Sequence, residues 1–171
     1  PYEVRIERLG VGQLDWRVGT SRGEIRGLAF GYSGGAAGHR ISDLTLVAAI
    51  GAITGHATIG ADAPFPVAGH LDAKGDRELA GAEAGIELGG SLAALTLDGG
   101  GSAHSGRFTG RASLAPLAAA PLREAALDAS GIDLAAWNPT LPATDLRVTV
   151  RAHPADGAVA VRLRNGRDLG A

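Results

Sequence analysis

The chain has 171 residues, 45% of them hydrophobic and only 4% aromatic, with 27 glycines and neither cysteine nor methionine. This length favours a single domain. The hydrophobic fraction and a formal net charge of -2 argue against a disordered chain, and the lack of cysteine excludes disulfide frameworks and cysteine-based zinc sites. Basic residues are scattered and balanced by acids, so we expect no nucleic-acid partner.

The chain starts Pro1-Tyr2-Glu3, without an initiator methionine. We therefore expect it to be a piece excised from a longer protein, whose signal peptide or membrane anchor would lie elsewhere. Its longest apolar run, residues 46–52, is well short of the roughly 20 residues that a membrane helix needs.

Alternation of apolar and polar residues is the main structural signal, beginning with Val4 and Ile6 and continuing through Leu14, Trp16 and Val18. The same alternation recurs at residues 44–48, 95–97, 146–150 and 159–163. A period of two is typical of strands with one face in water and one face away from it. With glycine-rich turns between the runs, the pattern predicts an all-β protein of about a dozen strands.

The interval 115–145 breaks this alternation. It contains a possible strand around residues 123–132 and then a segment that suits a short helix near residues 133–138. Asp133 can cap a single helical turn, and Pro139 ends it because proline disfavours α geometry in the preceding residue. We interpret the interval as a crossover or linker that contains a short helix.

Glycine also recurs inside the strand-like runs, for example at Gly55 and Gly69. Interior glycine weakens a strand and usually marks a bulge, a bend or a close approach of two backbones. Its repetition suggests a sheet that curls strongly.

Three phrases of the sequence have a shared style. Residues 133–152 run from Asp133 through Trp137-Asn138-Pro139 into an alternating strand, and residues 53–59 and 67–73 are strand-like phrases punctuated by glycine. The first phrase is similar to the linker-then-strand phrase of the TamB family, and the other two are similar to its repeating strands. This family belongs with the AsmA-like proteins of Gram-negative envelopes.

The resemblance implies a long, strongly curled antiparallel sheet (a β-taco or groove) with an open, apolar concave face and a short helical crossover near residues 133–138. Residues 1–171 would be one segment of a longer repetitive groove, and residues 115–145 its linker. In this family the parent is anchored in the inner membrane, crosses the periplasm and meets the outer-membrane barrel TamA. The implied function is to guide phospholipid between the membranes, to support outer-membrane protein assembly and secretion, or both.

Under this interpretation the alternating apolar residues line the groove and contact phospholipid acyl chains or unfolded outer-membrane β-strands. The candidate lining residues are Val4, Ile6, Leu14, Trp16, Val18, Ile25, Leu44, Leu46, Ile59, Val67, Leu71, Leu95, Leu97, Phe108, Leu146, Val148, Val150, Val159, Val161 and Leu163. The open sheet edges would favour edge-to-edge self-association of the fragment.

Two other readings of the same alternation stay open. The apolar residues could form the closed core of a self-contained extracellular β-solenoid or sandwich, a binding or adhesion domain that works through exposed loops such as residues 31–40. Alternatively, open edges could pair with unfolded client strands, as in a chaperone-like cradle.

The sequence does not predict an enzyme, a metal site or a cofactor. The histidines lack close metal-ligand spacing, and we expect them to be solvent-facing strand residues: His39, His56, His70, His104 and His153. The segment around Ser102 and His104 lacks a nucleophile elbow and an orienting acid.

Overall fold

A computed structural model describes residues 2–18, 21–48, 51–76, 81–154 and 157–166. These residues form eleven strands and one four-residue helix. In chain order the elements are β1 (Val4–Val18), β2 (Ser21–Gly35), β3 (Gly38–Ala48), β4 (Gly51–Gly60), β5 (Val67–Gly75), β6 (Glu83–Gly90), β7 (Leu95–Ala103), β8 (Gly106–Leu114), β9 (Leu122–Ile132), α1 (Leu134–Trp137), β10 (Leu146–His153) and β11 (Ala158–Asn165).

All eleven strands belong to one antiparallel sheet, in which each strand pairs with its neighbours along the chain. The strands β1 and β11 are the two edges. The all-β prediction is confirmed. The sheet is neither closed nor strongly curled, so the curled, taco-like part of the prediction is not confirmed.

The connection from β9 to β10 contains the short helix predicted from the sequence. Asp133 caps α1, and its carboxylate accepts a hydrogen bond from the backbone N–H of Ala135 at 3.1 Å. Thr144, only 5% exposed, donates its hydroxyl hydrogen to the carbonyl of Ile132 (3.0 Å) and accepts from the backbone N–H of Leu134 (2.9 Å). The connection joins neighbouring antiparallel strands, so it does not cross over a third strand.

The sheet is a single layer. Its accessible surface is 11604 Å², whereas a compact protein of this size exposes about 7800 Å². Among the described residues Val67, 8% exposed, is the one buried hydrophobic side chain. The strands are therefore held by backbone hydrogen bonds and by contacts between side chains on the same face.

Gly69 lets β4 and β5 approach closely. It lies opposite Ala57, and a Cβ at Gly69 would be 2.6 Å from the carbonyl oxygen of His56 and 3.0 Å from the Cα of Ala57. Both are backbone atoms, so a side chain there requires the two strands to separate.

We predict that Gly69→Ala lowers the free energy of unfolding by about 1–3 kcal/mol because it forces this separation. Urea denaturation followed by circular dichroism measures the change. The matched control is Gly85→Ala on β6, where a Cβ would lie 3.6 Å from the nearest atom. An equal loss in both variants would contradict the role of close approach at Gly69.

Candidate functional site

The pairing register assigns each strand position to one of two faces. Residues directly opposite one another in antiparallel strands point to the same side, and successive residues point to opposite sides. One line of directly paired positions crosses all eleven strands, and we call it the apolar path: Ile6, Tyr32, Ile41, Ala57, Gly69, Leu88, Leu97, Ala112, Ala125, Ala152 and Val159. At about 4.8 Å per strand spacing, the path is about 48 Å long.

Further paired rows run beside the apolar path and make this side of the sheet a continuous apolar face. One of them crosses nine strands through Leu46, Ile53, Ala73, Ala84, Gly101, Phe108, Ala129, Val148 and Leu163. Alanine and glycine occupy many positions in the middle strands, whereas leucine, valine and isoleucine are frequent towards the edges. Because small side chains project less from the backbone, the layer of apolar side chains is thinner in the middle of the sheet than near its edges.

Sixteen of the twenty candidate lining residues lie on this apolar face by direct pairing. The other four, Leu14, Trp16, Val18 and Ile25, lie beyond a register shift of β2 between Arg26 and Ala29, and the pairing of Ile25 with Ala48 assigns them to the same face. For Trp16 and Val18 the statement concerns the backbone register alone. That the face binds lipid stays a prediction.

Two residues of the apolar face, Leu9 and Ile41, are absent from the candidate lining residues because they lie beside irregular strand pairing. The register of β1 shifts between Ile6 and Leu9, and that of β3 shifts between Ile41 and Leu44. Each shift replaces a two-residue step by a three-residue step, so Leu9 and Ile41 do not fit a strict alternation. The signal that could have found the second shift is Asp43, a residue type that tolerates its observed φ of 50°.

Nothing covers the apolar face in the described part of the chain, and it is most exposed at the edges. On β11, Val159 is 68% exposed, and Val161 and Leu163 are each 63% exposed. On β1, Val4 and Leu14 are about half exposed. A contiguous apolar surface of this extent is typical of an interaction site.

A hydrogen-bonded polar pair, Tyr32 and His39, lies on the apolar face. The hydroxyl of Tyr32 lies 2.7 Å from Nδ1 of His39, and the two rings stack. Both groups lie beside Gly34, where a Cβ would be 2.4 Å from the Tyr32 hydroxyl. This contact joins β2 and β3 at the end of the sheet near the β2–β3 turn.

The opposite side of the sheet, the polar face, bears the charged strand residues. Ion pairs connect neighbouring strands there: Arg151 to Asp128 at 2.7 Å and Lys74 to Glu83 at 3.4 Å. Arg111 also pairs with Asp98. These pairs are exposed, so each contributes little to stability.

His70 is the most strongly held histidine of the polar face. Its Nε2 lies 3.1 Å from Asp72 and its Nδ1 lies 2.6 Å from Glu87. Hydrogen bonds to these two carboxylates raise the pKa of His70 above the ordinary histidine value. His56 lies directly opposite in the register, with a ring centroid 6.5 Å away.

His104 departs from the sequence expectation for the histidines. It lies in the turn between β7 and β8, with φ 51°, and not in a strand. Its ring contacts Trp137 of α1, with centroids 4.3 Å apart. Within the described ranges no three His, Cys, Asp or Glu side chains are grouped to hold a metal ion, and no helix there has the length and apolarity to cross a membrane.

We predict that His70 makes the stability of the sheet pH-dependent. Because its folded-state pKa is raised, its contribution is complete below the unfolded pKa of about 6.5 and is lost as pH rises through the folded value. Between about pH 6 and pH 9, urea denaturation should therefore show a larger loss for the wild type than for His70→Gln.

Glu87→Gln provides the control for this prediction. It removes one of the two carboxylates, so the pKa of His70, measured by NMR titration, should decrease. An unchanged His70 pKa in this variant would contradict the assigned cause.

Comparison of the chain with models of protein families, with curated proteins and with solved structures finds no match.

Proposed function

We propose that the apolar face guides phospholipid acyl chains along the sheet. The observation that supports this function is the apolar path, which connects both edges and is uncovered in the described part of the chain. An apolar surface of this kind gains free energy from any apolar chain that lies on it and excludes water.

The size of the barrier explains why such a face would be useful. A phospholipid has roughly 30 methylenes in its two chains, and each one costs about 0.8 kcal/mol in water, so bare transfer costs on the order of 20 kcal/mol. Contact with a continuous apolar face removes a large part of this cost at every position along the path. No bond is made or broken, so the proposal requires neither a catalytic residue nor a cofactor.

The resemblance to TamB supports the setting of this proposal. It suggests the periplasm, a parent anchored in the inner membrane and the outer-membrane barrel TamA as a partner. The strongly curled groove expected from the sequence also belongs to the proposal. A curl of the sheet towards its apolar face would cover more of the bound acyl chains and shield them from water.

A second function, support for outer-membrane protein assembly, is favoured by the two open edges. Each edge strand, β1 and β11, has one side without a partner strand among the described residues. Such a side offers unpaired backbone N–H and C=O groups to an incoming strand. The alternative of a self-contained sandwich or solenoid domain receives less support, because the described strands form one sheet with almost no buried core.

We predict that a photo-crosslinking residue captures phospholipid several-fold more efficiently when it replaces Leu46 or Val150 than when it replaces the adjacent residue in the chain. Leu46 and Val150 both lie on the apolar face. The matched controls are Thr45 and Thr149, which lie on the polar face of the same strands. Mass spectrometry of the crosslinked adducts identifies the lipid. Equal capture on the two faces would contradict acyl-chain binding.

We also predict that the chain self-associates in solution, because its open edges can pair. Sedimentation velocity should show a larger species whose fraction increases with protein concentration. A chain that stays monomeric at the highest concentration would contradict the availability of the edges.

A further inference from the structure

Four arginines lie on one part of the polar face, one on β8, one on β10 and two on the edge strand β11. We call this group the arginine corner, and it consists of Arg107, Arg147, Arg162 and Arg164. Arg147 lies directly opposite Arg164, and Arg162 lies two residues before Arg164 on β11. All four side chains are exposed.

Among the described residues, no ion pair neutralises the arginine corner. Like charges directly opposite one another destabilise a strand pair, yet none of these four guanidinium groups has a carboxylate oxygen within 4 Å among the described residues. The acid nearest in register is Asp128, which already binds Arg151 at 2.7 Å and Thr149 at 3.1 Å. Asp145, two residues before Arg147, forms no ion pair with the corner.

The geometry of the corner suits a phosphate group. Arg147 faces a bulge of β9 next to Ser130, and Ser130 lies opposite Arg107. A cavity of about 340 Å³ is lined by these three residues together with Phe108, Thr109, Asp128 and Ala129. Arg162 and Arg164 lie outside this lining, towards the edge. Cβ atoms of directly opposite residues are about 5 Å apart, so the guanidinium groups of Arg147 and Arg164 can reach one phosphate. Guanidinium also matches phosphate through two parallel hydrogen bonds.

The other side of β11 indicates which molecule bears the phosphate. Among the large hydrophobic strand residues whose exposure the structure describes, Val159, Val161 and Leu163 are the most exposed on the apolar face. Because β11 is an edge, a lipid whose chains lie on these residues can place its headgroup around the edge at Arg162 and Arg164. We propose that the arginine corner binds the phosphate of an anionic phospholipid. This inference rests on the proposed function only in its choice of a lipid.

The test measures binding of the intact 171-residue chain to sedimented vesicles. One set contains phosphatidylcholine alone, and the other contains phosphatidylcholine with phosphatidylglycerol. The wild type should prefer the anionic vesicles. The double variant Arg147→Gln/Arg164→Gln should lose about 30-fold in affinity for them, because each arginine near an anionic surface contributes substantially to binding.

The matched control is Arg5→Gln/Arg40→Gln, which removes the same charge from the polar face at the other end of the sheet. Its preference for anionic vesicles should remain. An equal loss in both double variants, or no preference in the wild type, would overturn the proposal. Displacement from the vesicles by millimolar inorganic phosphate would indicate a free-phosphate site and would also overturn the lipid assignment.

Two further measurements separate this inference from its alternatives. The first measures binding of a short DNA duplex. If this binding depends on Arg147 and Arg164 and is tighter than binding to anionic vesicles, the ligand of the arginine corner is a nucleic acid and the lipid assignment is wrong. If acyl-chain crosslinking at Leu46 fails while the arginine-dependent vesicle preference persists, the proposed function is wrong and the headgroup site stands. If the crosslinks form but the preference is absent, the headgroup site is wrong alone.

Discussion

The hydrogen-bond ladder between neighbouring strands has to hold this molecule together without help from a second layer. In most β-proteins the apolar face of a sheet is buried against another sheet or a helix, and that burial supplies much of the stability. Here the apolar face remains exposed and Val67 alone among the described hydrophobic residues is buried. Close strand contact, as at Gly69, therefore matters more than it would in a sandwich.

The same lack of a second layer gives the two faces different chemistry. Charged pairs such as Arg151–Asp128 lie on one face and remain exposed to solvent, so they add little stability. On the apolar face, the described residues form no ion pair, and Tyr32 and His39 are joined there by a hydrogen bond. A ligand with both apolar and anionic parts can use both surfaces only at an edge, where the faces meet.

Much of this arrangement could be predicted from the alternation of residues, because in a strand the period of two fixes the face. Val148 and Val150 were placed on the same face for that reason. Leu9 and Ile41 were missed because the pairing register shifts beside them. The arginine corner could not be predicted, since Arg107 is distant from Arg147 in sequence and only the pairing of β8, β9 and β10 brings them together. The degree of curl depends on the summed twist of many strands, which the glycine content alone does not determine.

The strictly sequential order of strands has a consequence for how such a sheet is built and extended. Since every partner is the adjacent segment of the chain, each hairpin can close locally, with a small loop-closure cost, as the polypeptide emerges. Adding or removing one hairpin would change the distance between the two edges by about 10 Å. The apolar and polar faces would stay on the same sides of the sheet. The length of the sheet could therefore change by whole hairpins during evolution without changes in the other strands.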